Sequence, residues 1–116
     1  MSLKFRIREV DSVIVADLIG RITVGEDCKR LRDLVRNHIE NGHKRILLNL
    51  ADVTYIDSTG IGELVSAYTA VSNRGGQLKL LNLTKKVHDL LQITKLYTVF
   101  DIRNDEGESI RSFARA

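Results

Sequence analysis

The run from Arg45 to Leu50 constrains the fold of this 116-residue chain more than any other segment. Ile46, Leu47, Leu48 and Leu50 leave it almost no polar face, and its shortness between two segments of helical spacing marks it as a strand. A strand apolar on both faces has to be covered on both faces, so it belongs at the centre of a sheet flanked by helices. Upstream, Cys28, Leu31, Leu34, Val35, His38 and Ile39 recur three or four apart from Glu26 onward, giving a helix that stops at Gly42. Glu26 and Asp27 in its first turn suit the positive end of the helix dipole, and Gly42 suits the left-handed position after a helix end. Downstream, Ile61, Leu64, Val65, Tyr68 and Val71 repeat the helical spacing as far as Asn73-Arg74-Gly75-Gly76.

The remaining segments extend this alternation. Leu3, Phe5 and Ile7 alternate with Lys4, Arg6 and Arg8 as a half-buried strand, and Asp11-Ser12 turns the chain into the apolar run Val13 to Ile19. Gly20-Arg21 breaks that run before a short third strand around Ile22, and Ala51 to Asp57 reads as a loop. Gln77 to Asn82 is another strand, Thr84 caps a third helix that buries Val87, Leu90 and Leu91, and Val99 to Ile102 is a last short strand. A terminal helix starts at Asp105 with Ile110, Phe113 and Ala114 on its inner face. The expected fold is α/β: a mixed β-sheet with an N-terminal antiparallel hairpin, parallel strand-helix-strand crossovers and about four helices. No linker, repeat or low-complexity stretch divides residues 1–116, so a single domain is expected, and a chain of this size buries roughly two thirds of its unfolded surface.

Composition narrows the function classes. Cys28 is the one cysteine, so no internal disulfide or thiol metal site is available, and a reducing, cytoplasmic compartment is expected. No run approaches the ~18 apolar residues of a membrane span. The net charge of +3 is scattered, and Lys29, Arg30, Arg32 and Arg36 share one helix with Asp27, Asp33 and Glu40, as on a solvated face. With three Phe and three Tyr, base stacking has little to work with, so no direct nucleic-acid role is expected. Tyr55 and Tyr68 read as packing residues ahead of partner anchors, Cys28 as a small buried apolar group, and Lys85-Lys86 as a solvated first turn whose place beside a strand end leaves an interface role open.

One loop carries chemistry. Ile56-Asp57-Ser58-Thr59-Gly60-Ile61-Gly62 joins a buried strand to a helix N-terminus, the edge at which α/β sheets bind ligands and partners. Taken alone it is equally a helix cap, in which Asp57 or Ser58 accepts hydrogen bonds from free amides. A nucleophile elbow needs glycine two residues before the serine, where Ile56 stands, so Ser58 is not a hydrolase nucleophile by this motif. A dinucleotide fingerprint through Gly60-Ile61-Gly62 needs a third glycine where Val65 stands, and no P-loop lysine is present. Asp52 and Asp57 without a His or Cys companion fall short of a closed metal-ligand set. No catalytic residue, metal or cofactor is expected.

The residues Ile46-Leu47-Leu48-Asn49-Leu50, Asp52-Val53-Thr54-Tyr55-Ile56, Asp57-Ser58-Thr59-Gly60-Ile61-Gly62 and Gly75-Gly76 before Leu78 to Leu81 together resemble the STAS domain of bacterial anti-sigma factor antagonists. The resemblance covers nearly the whole chain. It implies partner switching, in which the unphosphorylated antagonist binds an anti-sigma factor that is also a serine kinase, freeing a sigma factor. The kinase phosphorylates the antagonist and releases it, and a serine phosphatase resets the cycle. Carried onto this chain, the phosphoacceptor is Ser58, with Thr59 as a second acceptor candidate beside it. The partner-binding set comprises Thr23, Glu26, Asp27, Asp57, Ser58, Thr59, Gly60, Ile61 and Gly62. ATP belongs to the kinase, so the chain is a substrate and not an enzyme.

In one respect the chain departs from that family. Antagonists of this kind carry an acidic residue soon after the glycine that ends the second strand, whereas Gly20-Arg21-Ile22-Thr23-Val24-Gly25 is not acidic and Glu26 and Asp27 follow later. Either these two replace the missing contact or the partner differs. The alternative is a STAS scaffold or regulatory subunit of a sensory complex or membrane transporter, never phosphorylated.

Overall fold

The computed structural model describes residues 3–113. Strand β1 (Lys4–Val10) turns through Asp11 and Ser12, both at positive φ, into β2 (Val13–Ile22). Helix α1 (Glu26–Glu40) leads to β3 (Arg45–Ile56), α2 (Ser58–Asn73) to β4 (Gln77–Leu81), α3 (Lys85–Ile93) to β5 (Asp101–Arg103), and α4 (Glu106–Phe113) follows. The strands lie in the order β1-β2-β3-β4-β5, with β1 antiparallel to β2 and every later pair parallel. This is the mixed sheet with four helices that the alternation of periods implies, and β3 is its central strand.

Successive parallel strands that always step to the same side, joined by crossovers of one hand, place the crossover helices on one face. Accordingly Leu31, Val35, Ile61, Leu64, Val87 and Leu91 from α1, α2 and α3 pack on Ile14, Ile46, Leu48 and Leu80 in one core. Helix α4 covers part of the other face, where Ile110 and Phe113 meet Val13, Val15, Leu47 and Leu81. The apolar run of β3 is therefore buried on both sides. Ala114, expected on the inner face of α4, lies outside the described residues.

Three boundaries differ from the sequence reading. Gly20-Arg21 does not end a strand: β2 runs through to Ile22, absorbing register shifts between Asp17 and Ile19 and between Gly20 and Arg21, with Gly20 at φ 108°. Ala51 to Ile56 is not a loop but the second half of β3, which has outrun β4 and pairs with β2 alone. The last strand begins at Asp101 rather than Val99, because Phe100 turns into the main core instead.

A charged cluster fastens α4. The Arg8 guanidinium donates to both oxygens of Asp17 at 2.8 and 3.0 Å and to both of Glu106 at 3.0 and 2.8 Å, while Asn49 donates to Asp17 at 2.9 Å. Arg8 holds the Asp17 and Glu106 carboxyls below their ordinary range, against the opposing pull of partial burial. A carboxyl with a depressed folded-state pKa stabilises the fold above its unfolded pKa and loses that contribution as pH falls through the folded value. The urea midpoint of the wild type should thus hold steady near neutrality and drop below about pH 4. Arg8→Met should cost roughly 1–3 kcal/mol at pH 7 and flatten that acid limb, which urea titrations across pH would measure.

Candidate functional site

At the carboxyl edge of the sheet the ends of β2 and β3 each turn into a helix, and one carboxylate ties the two turns together. Asp57, in extended backbone conformation, is the N-cap of α2: its Oδ1 accepts from the Gly60 amide at 2.7 Å. Its Oδ2 accepts from the Val24 amide at 3.0 Å, across 33 residues of chain. The Asp57 amide in turn donates to the Ile22 carbonyl at 3.3 Å. Asp57 is thus both a cap and a brace between the β2–α1 and β3–α2 turns.

Gly60 completes the brace sterically. A Cβ there would overlap the Ile22 carbonyl oxygen and come within 2.7 Å of Ile56 Cγ1, so only glycine lets α2 start this close to β2. Gly62 differs: a Cβ there meets nothing within 4 Å, and the residue is exposed. Ile61 is buried and belongs to the core.

Ser58 and Thr59 are the first two residues of α2 and both are exposed. Their amides have no intrahelical acceptor, and the Asp57 carboxylate at the cap is taken up by the Gly60 and Val24 amides, so two free amides lie beside two hydroxyls at the helix start. Free amides at a helix start are groups to which a phosphate can hydrogen-bond.

The β2–α1 turn is held by a second carboxylate. Asp27 is 5% exposed, and it accepts from the Leu3 amide at 2.8 Å, the Thr23 amide at 3.2 Å and the Thr23 hydroxyl at 2.8 Å. Burial alone would push its carboxyl up, but these hydrogen bonds outweigh it and keep the carboxyl below its ordinary range. Asp27 therefore faces inward, contrary to a direct partner contact, and positions Thr23, which is half-buried. Glu26 is exposed, as are Val24 and Gly25 at the tip.

Several neighbours escape sequence reasoning. Val24 is 69% exposed at the turn that Asp57 braces, a bare apolar side chain beside the α2 start. Tyr55 is not a packing residue: it is 38% exposed, with Arg21 Cζ 5.1 Å and Lys86 Nζ 5.0 Å from its ring centroid. Arg21 and Tyr55 are register partners, a contact between distant segments that no local pattern announces. Lys85, in contrast to Lys86, is paired with Asp89 at 2.7 Å. Cys28 is buried, and desolvation aided by the Glu63 and Asp57 carboxylates pushes its thiol up, so it stays a neutral packing group. Among the described residues no group of His, Cys, Asp and Glu could hold a metal, and no helix is long and apolar enough to cross a membrane.

A mixed five-stranded sheet with crossover helices on one face, and a hydroxyl-bearing helix start braced at its carboxyl edge, defines a class of small α/β domain. The chain belongs to the STAS domain family, whose model matches residues 4–109. An anti-sigma-B factor antagonist of Bacillus subtilis is 32% identical over 102 residues, covering 88% of this chain and 92% of that protein. A crystal structure of a Thermotoga maritima protein, put forward as an anti-sigma factor antagonist, superposes with TM-score 0.87 at 26% identity over 96% of this chain and 95% of that one. The fold is also that of the Bacillus cell fate determinant SpoIIAA in its phosphorylated form, with TM-score 0.73, 21% identity, and 94% and 98% of the two chains covered.

Proposed function

We propose that this chain is a cytoplasmic anti-sigma factor antagonist switched by phosphorylation of Ser58. Unphosphorylated, it binds an anti-sigma factor that is also a serine kinase and so frees a sigma factor. Phosphorylation of Ser58 ends that binding, and a serine phosphatase restores it. The observation that carries this reading is the placement of Ser58: exposed, first in α2, its amide unpaired, and directly after the Asp57 carboxylate that caps the helix and braces the neighbouring turn.

The chemistry follows from that placement. A phosphoserine adds about −1.5 to −2 charge and three acceptor oxygens. At a helix start the dipole and amides accommodate this charge, so the fold persists while the outward surface changes sign. Val24, Glu26, Ser58, Thr59 and Gly62 form the outward part of the docking surface, and Asp27, Asp57, Gly60 and Ile61 shape it from within. The chain itself performs no catalysis, and ATP is bound by the kinase.

Incubation with its anti-sigma factor kinase and ATP should place a single phosphate on the peptide containing Ser58 and Thr59, with fragment ions assigning it to Ser58. Ser58→Ala should abolish the modification. Phosphate on neither hydroxyl would sink the switch reading and favour the scaffold or regulatory-subunit alternative.

A further inference from the structure

We infer that Arg21, Tyr55 and Lys86 form a second half of the docking surface, built to receive an acidic segment of the partner kinase. The inference rests on the proposed function for the identity of the partner. The cluster itself stands on geometry: β2 brings Arg21 opposite Tyr55, and the first turn of α3 brings Lys86 to the same ring. Three segments far apart in sequence thus converge on one exposed aromatic side chain.

Two exposed cations drawn to one ring repel each other only weakly in water, and a carboxylate that displaces the water gains from both. Several cationic groups of the fold have a carboxylate partner: Arg8 meets Asp17 and Glu106, Arg32 meets Glu63, Lys79 and Arg103 meet Asp101, and Lys85 meets Asp89. Among the described residues Arg21 and Lys86 have no ion-pair partner. The ring supplies apolar contact area between the two charges, a combination that fits carboxylates carried on a peptide better than a free anion.

Nearness to Ser58 puts the cluster in reach of a protein acting on that hydroxyl, and the proposed function makes the kinase, which binds the unphosphorylated chain, the carrier of those carboxylates. Tyr55 precedes Ser58 by three residues, so no more than ~11 Å of backbone separates their Cα atoms. The pair Arg21–Tyr55 is followed directly by Ile22–Ile56, and the Asp57 amide bonds to the Ile22 carbonyl. A protein that brings its catalytic groups to the Ser58 hydroxyl is therefore within reach of Tyr55 and its two cations as well.

Two measurements test this separately from the switch. In the first, an amide-resolved NMR titration with a synthetic peptide of alternating Glu and Phe should shift resonances centred on Arg21, Tyr55 and Lys86. The shifts should vanish in the Arg21→Glu/Lys86→Glu double variant and be absent with a Lys and Phe peptide. In the second, the same double variant, in a Ser58→Ala background, should bind the kinase about 100-fold more weakly, with a shallower salt dependence and an unchanged melting curve. Each single reversal should account for about tenfold, and Tyr55→Ala should weaken binding without altering the salt dependence. Binding of the double variant within twofold of its parent would overturn the inference while leaving the Ser58 switch standing. Peptide shifts centred elsewhere, or unaffected by the charge reversals, would also overturn it. If Ser58 is never phosphorylated but the peptide maps to this cluster, the switch fails and the acidic-segment surface stands.

Discussion

Gly60→Ala is expected to lower the melting temperature by about 10 °C, corresponding to about 3 kcal/mol, and to weaken kinase binding together with it. The new methyl group would overlap a backbone carbonyl, that of Ile22, which cannot rotate aside as a side chain can. The relief available is for the α2 start to move off β2. That movement stretches the contacts by which Asp57 joins the Gly60 and Val24 amides, so stability and docking geometry fall together. Two other glycines provide controls. At Gly76 a Cβ would overlap the Lys44 carbonyl, far along the fold from Ser58, so Gly76→Ala should destabilise comparably yet leave phosphorylation by the kinase intact once folded. At Gly62 nothing obstructs a Cβ, and Gly62→Ala should gain up to about 1 kcal/mol from helix propensity. Calorimetric melting of the three variants decides the matter. A Gly60→Ala protein that melts with the wild type would show that the two turns are not in steric contact.

The second large effect concerns charge at the acceptor. Ser58→Asp should reduce affinity for the kinase by about 100-fold or more, because a fixed negative charge is desolvated against the partner at the centre of contact. Ser58→Ala should retain full affinity and bind constitutively. Both should melt close to the wild type, with Ser58→Asp unchanged or higher by up to about 1 kcal/mol, since an acidic residue in the first turn suits the helix dipole. Titration calorimetry of the three proteins reads the affinities. Unaltered binding by Ser58→Asp would count decisively against a switch at this residue, and a large loss of stability would mean that the loss of binding reports misfolding.

The contrast between these two positions shows what the sequence makes legible. Alternation of period yielded the mixed sheet, the antiparallel hairpin, the central place of Arg45 to Leu50 and the helices, because each of those follows from short-range spacing. The extension of β3 through Ile56 was hidden, since its buried residues Leu50, Val53 and Ile56 fall three apart. The irregular register with β2 breaks the period-two signature there, and the same irregularity made Gly20-Arg21 look like a strand end. The loop from Asp57 to Gly62 stood out through its residue types and its position before a helix, and the proposal of a phosphate on Ser58 rests on the STAS resemblance.

What the sequence hid about the site was consistently a long-range partnership. Asp27 looked like an ordinary first-turn acid, but its carboxylate is occupied by the Leu3 amide 24 residues away, which turns it from a contact residue into a support. Tyr55 looked like packing because nothing local indicates that Arg21 and Lys86 will meet its ring. Val24 carried no signal at all, since a lone valine in a turn is unremarkable until its backbone is seen fastened to Asp57.

The shared carboxylate of Asp57 also bears on speed. Because the two turns are already fixed to each other in the free protein, docking need not order them, and the conformational entropy lost on association is confined to side chains at the surface. Such a preorganised face associates without waiting for a loop to find its shape, and on release it leaves behind a surface ready for the next encounter. Under the proposed switch at Ser58, the tempo then lies with the kinase and the phosphatase that act on the hydroxyl, and refolding sets no delay of its own.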